Sequence, residues 1–125
     1  MTQEEKQLLF KDLCGRLPYG VICKLSAKDA NVSITEKLDL GGLEHFIFGT
    51  MDVLPYLRPM SSMTEDEINE FILISDTVLC VGDKRSTCIL SLEQMDWLNK
   101  KMFDFRGLIP VGLALEAPEG MYKTE

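Results

Sequence analysis

The chain has 125 residues, 46% of them hydrophobic and 26% charged, and a formal net charge of −7. That length predicts one domain able to bury about two-thirds of its unfolded surface without help from a disulfide or a metal. The acidic balance disfavours direct attraction to nucleic-acid phosphates or anionic lipid, and the longest apolar runs, Phe71 to Ile74 and Val78 to Val81, are too short to cross a bilayer.

The opening residues, MTQEEKQLLF, carry acids where a signal peptide carries bases, which predicts a cytoplasmic protein. Thr2 and Glu5 have the spacing of a capping box, and Gly15 suits a helix end. A helix over 3–14 is expected, packing through Leu9, Phe10, Leu13 and Cys14. Pro18, Tyr19 and Gly20 break it. Val21, Cys23 and Leu25 then alternate with polar or outward positions as in a strand, Ser26 to Asn31 reads as a turn, and Val32 to Leu38 alternates again apart from Glu36. Such alternation predicts an antiparallel sheet with one wet face. Gly41-Gly42 reads as a turn, and Leu43 to Phe48 as a third strand holding His45 in a structural role.

The middle of the chain, Asp52 to Ile74, reads as a joint. Pro55 and Pro59 predict an extended loop. Thr64 and Glu67 then predict a second capped helix over 65–75, with Ile68, Phe71, Ile72 and Ile74 as its stripe. Val78 to Val81 and Thr87 to Leu90 suggest a hairpin around Gly82-Asp83-Lys84-Arg85. Ser91 and Gln94 open a third helix over 92–102, striped by Leu92, Met95, Leu98 and Met102. At about 100° per residue Trp97 falls off that stripe, so the tail with Pro118, Met121 and Tyr122 is expected to cover it. Leu108 to Leu115 reads as a last extended segment. The whole is expected to be a single α+β domain over 1–125, with three helices on a small, mainly antiparallel sheet.

Three strings now stand together: LCGRLPYGV at Leu13 to Val21, YLRPMSSMTEDE at Tyr56 to Glu67, and DWLNKKMFDFRGLIPVGLALEAPEGMY at Asp96 to Tyr122. With them the chain resembles a family of small uncharacterised proteins of gut Bacteroidales and their phages or prophages. The resemblance covers the N-terminal helix, the joint and the C-terminus, and implies a mobile-element setting without implying an activity. In that family two adjacent histidines and a tyrosine often surround the FD of an FDYRG string. Here Lys101, Met102 and Phe105 stand at those positions, so a metal-binding or proton-moving histidine pair is missing from this member.

The residues carry no nucleophile elbow, P-loop, dinucleotide fingerprint or metalloprotease motif. Cys14, Cys23, Cys80 and Cys88 lack CxxC spacing and His45 is the single histidine, so all four cysteines are expected as buried free thiols, with no metal or cofactor. The candidate binding surface is the joint: Tyr56, Arg58, Met60 and Met63. In an extended backbone Tyr56 and Arg58 project to one side while Leu57 turns to the core. Tyr and Arg are typical interface anchors and methionine adapts to varied partners. Replacing Tyr56 and Arg58 should then weaken partner capture without loss of stability. Asp104 and Arg106 form the second candidate, a guanidinium beside a carboxylate. The function expected is a non-enzymatic interaction protein of a mobile element, binding a protein partner through its central loop. The competing classes are a small carboxylate-based hydrolase or nuclease, with or without a divalent metal, and an acidic mimic of nucleic acid.

Overall fold

The computed structural model describes residues 2–27, 32–74 and 91–122. Within them the chain runs α1 (Gln3–Arg16), β1 (Ile22–Ala27), β2 (Ser33–Lys37), α2 (Leu40–Phe48), β3 (Met51–Leu57), α3 (Glu65–Leu73), α4 (Leu92–Lys100) and β4 (Leu115–Glu116). The sheet order is β2-β1-β3-β4, with β1 antiparallel to both neighbours and β4 parallel to β3. The fold is therefore α+β, with four α-helices and a four-stranded, mostly antiparallel sheet among the described residues. The expected hairpin at 78–90, and Cys80 and Cys88, lie outside the described residues. Among those residues no helix is long and apolar enough to cross a membrane.

All three capping boxes form. Thr2, Thr64 and Ser91 accept from the amides of Glu5, Glu67 and Gln94, whose side chains accept in return from the cap amides. Each exchange satisfies two helix-end donors that would otherwise go unpaired.

One element differs in kind. The segment expected as a turn and a third strand is helix α2. Asp39 caps it, its Oδ1 accepting from the Gly42 amide at 2.8 Å, and Gly49 closes it at φ 70° in the left-handed region. Gly42 is a contact point within this helix. A Cβ there would stand 3.0 Å from Leu38 Cδ1 and 3.4 Å from Leu25 Cδ2, so its absence lets α2 lie close on the sheet. His45 is consequently exposed, its Nδ1 2.7 Å from Thr50 Oγ1 at the helix end.

The joint begins as an inner strand. Val53, Pro55 and Leu57 of β3 are buried beside Cys23 and Leu25 of β1, under Leu9, Leu13 and Phe46. Pro55 is tolerated for a geometric reason. Leu57 O accepts from Ala117 N, so positions 57 and 55 turn their backbone polar groups to the β4 side. Pairing with β4 starts only at Tyr56, so the missing amide of Pro55 leaves no partner unbonded. The stretch expected to be extended over Leu108 to Leu115 is mostly turns and reaches strand pairing only at Leu115.

Two clusters hold these elements. The larger joins α1, α2 and the sheet, and Tyr122 closes it from the C-terminus. The smaller comprises Trp97, Leu98 and Phe103, with Met63, Phe71 and Ile74 packed against it. Trp97, 8% exposed, is covered by α3, and among the described residues of the tail Tyr122 packs on the other cluster. Its indole donates to Glu70 Oε1 at 2.9 Å, and the rings of Phe71 and Phe103 lie 5.5 and 5.7 Å from it. Removing the tail should therefore leave Trp97 fluorescence unshifted, whereas Phe71→Ala should red-shift it. The opposite pair of spectra would return the tail to this role.

Candidate functional site

Each buried polar group must find a partner within the protein. Leu9, Asp12, Leu13 and Arg16 are the buried positions of α1. This stripe is rotated from the expected one, leaving Phe10 partly exposed and Cys14 exposed. Asp12 and Arg16 are both 0% exposed, with Arg16 Nε donating to Asp12 Oδ2 at 2.9 Å. The guanidinium also donates to Leu98 O at 3.4 Å and Phe103 O at 2.6 Å. It is thus a second donor to carbonyls in and just past the end of α4, each of which also accepts a backbone amide, where the helix dipole favours a cation. Arg106 shares the same acid, Nη1 to Asp12 Oδ1 at 2.6 Å, and stacks over Phe105 at 4.3 Å. Cys23 lies buried nearby, and burial pushes its thiol up to about 12, with the charge of Asp12 adding to the shift.

Asp104 and Arg106 do not form a site together. Asp104 accepts from the amides of Leu108 and Ile109 at 2.8 and 2.9 Å, fixing the turn after α4, while Arg106 turns to α1. Lys101 and Met102 are also taken up by the fold. Lys101 Nζ lies 6.0 Å over the Trp97 ring. Met102 is buried at φ 64°, and its carbonyl accepts from the amide of Arg58 at 2.7 Å.

The four central-loop candidates separate. Tyr56 lies within β3, paired with Leu115. Arg58 makes a two-pronged ion pair with Glu67, Nη1 to Oε2 at 2.8 Å and Nη2 to Oε1 at 2.7 Å, and lies 4.1 Å over the Phe103 ring. Its head group is therefore engaged on both its edge and its face. Met63 packs against the Trp97 cluster. Met60 is 41% exposed on a short 3-10 turn, Met60–Ser62, which Ser62 Oγ braces by donating to Pro59 O at 2.6 Å.

Beyond this turn is a groove of about 590 Å³. Arg58, Pro59, Ser61, Ser62 and Thr64 form one wall, and Glu116 to Gly120 the other, with Tyr122 contributing. The second wall is pinned to the sheet. Ala117 N donates to Leu57 O at 2.8 Å; the Tyr122 hydroxyl accepts from Ile22 N and donates to Tyr56 O, both at 2.8 Å. Burial raises the pKa of that hydroxyl, so it remains a proton donor. Of the candidates read from the sequence, Arg58 lines this groove, and Tyr56, Met60 and Met63 do not. Residues 116–120 carried no such signal, and Asp12 and Arg16 were missed, although their i,i+4 spacing on either side of Leu13 was available.

The Arg58 guanidinium holds the Glu67 carboxyl down to about 2, and the amide of Thr64 assists. A carboxyl depressed on folding contributes stability above its unfolded pKa of about 4.3 and loses it as pH falls towards the folded value. Melting temperature should therefore drop between about pH 5 and pH 2, and Glu67→Gln should flatten that part of the profile. A Glu67→Gln profile as steep as the wild type would mean that other acids set the slope.

Among the described residues no three His, Cys, Asp or Glu side chains gather as metal ligands. Compared with known families, curated proteins and solved structures, the chain finds no match in any of the three.

Proposed function

We propose that the protein is a non-enzymatic interaction module that holds an extended segment of a protein partner in the groove between the central loop and residues 116–120. The observation that carries this reading is the groove itself, open between two walls that are each braced from behind. Walls ordered in advance reduce the entropy lost on binding. Ser61, Ser62 and Thr64 offer hydroxyls, while Glu116 and Glu119 are exposed acids on the facing wall. The segment that complements them is polar, with a basic side chain opposite the acids. The mobile-element setting rests on the family resemblance and places the partner in a phage, a prophage or its host.

Three carboxylates in or near the interior are engaged by the fold. Asp12, Glu67 and Asp104 are each held by a guanidinium or by backbone amides. This favours binding over the carboxylate-hydrolase alternative. It also weakens the mimic reading, since these acids face inward and do not add to a negative surface. Selection of a random peptide library on the wild type should enrich basic, extended sequences that fail to bind Ser61→Trp, which fills the groove. Enriched peptides that bind both proteins equally would remove the groove from the site.

A further inference from the structure

A second concave surface lies away from this groove, between α1 and α2. It is a shallow trough of about 530 Å³ lined by Gln3, Lys6, Gln7, Phe10, Lys11, Phe46 and Ile47. Its base is apolar. Phe10 and Phe46 stack at 6.5 Å with rings 8° from parallel, Phe10 is 38% exposed and Ile47 45%. Gln3, Gln7 and Phe10 recur at helical spacing and form a ridge along α1. At about 100° per residue, Lys6 and Lys11 fall on opposite flanks of that ridge. Neither lysine has an ion-pair partner among the described residues.

We propose that this trough docks an acidic amphipathic helix of a protein partner. From Gln3 to Phe10 the ridge runs about 10 Å, or two helical turns, which suits a helix laying an apolar stripe along it. Aliphatic anchors would meet Phe10 and Ile47, and carboxylates on either side of the stripe would meet Lys6 and Lys11. Two cations bordering an apolar floor on a chain of net charge −7 are complementary to that arrangement and to its opposite in no respect. An anionic membrane is the poorer occupant. Attachment to lipid headgroups takes a dense basic cluster, and the overall negative charge repels them.

The test uses a fluorescein-labelled synthetic helix with leucines along one face flanked by glutamates, and a counterpart with lysines in place of the glutamates. By anisotropy at low salt the full-length protein should bind the glutamate helix, with amide shifts at Phe46 and Ile47. Lys6→Glu with Lys11→Glu should weaken that binding about tenfold and improve binding of the lysine helix. Both substitutions are on the outer side of α1, and circular dichroism checks that the variant is folded. Absence of binding, or equal binding of both helices by the wild type, overturns the proposal. So does binding to phosphatidylglycerol vesicles, or wild-type dimerisation in sedimentation, that the double variant loses, since either assigns the trough to a different occupant.

Discussion

Replacing Arg16 with methionine is expected to destabilise the protein by about 3 kcal/mol, the lower part of the range for breaking a buried ion pair. The aliphatic stem is kept, so the loss is that of the charge and its hydrogen bonds. Three partners are affected together. Asp12 loses its 2.9 Å donor and retains Arg106, which is why the lower figure applies. The carbonyls of Leu98 and Phe103 each lose a second donor and keep one backbone amide, from Phe103 and Phe105 respectively. Replacing Asp12 by leucine in the same chain should restore only part of the loss: the fully buried pair then leaves together, while Arg106, 17% exposed, gives up its acid and keeps a contact with Asn99. Denaturant unfolding of both single variants and the double variant measures the coupling. A cost for Arg16→Met below about 1 kcal/mol would mean that water reaches the site and the pair does not tie α1 to α4.

The second large effect is expected at Leu57. It is 0% exposed on the inner face of β3, and Leu57→Ala should cost about 3 kcal/mol through lost burial and the cavity left behind. Its neighbour provides the informative comparison. Arg58→Ala should cost about 2 kcal/mol, since Glu67 loses a two-pronged partner and Phe103 its stacked cation. The sequence suggested that Leu57 packs while Tyr56 and Arg58 stand free for a partner. The structure keeps Leu57 in that role and gives Arg58 to the fold. An Arg58→Ala protein as stable as wild type would reverse this assignment.

What was legible in the sequence follows from how local each signal is. The three capping boxes need four consecutive residues, and all three mark helices. The pairing of β1 with β2 came from alternation. Helix α2 was hidden by Gly41 and Gly42, which look like a turn until the closeness of Leu25 and Leu38 explains why Gly42 has no side chain. Pro55 looked like a loop because the reason it fits a strand lies in where β4 begins, some sixty residues away. The rotation of the α1 stripe was hidden for a similar reason. The partners of Asp12 and Arg16 come together only when α1, Arg106 and the end of α4 meet. Of the groove only Arg58 was singled out in the sequence, since the wall at 116–120 is defined by contacts of Ala117 and Tyr122 with distant strands.

The binding claim is tested most directly by photo-crosslinking. A peptide selected on the wild type would carry a benzophenone beside its basic residue, and the crosslinked protein residue would be read by mass spectrometry. The groove account predicts attachment within 59–64 or 116–122, and loss of attachment in Ser61→Trp. Attachment elsewhere that persists in Ser61→Trp would contradict it.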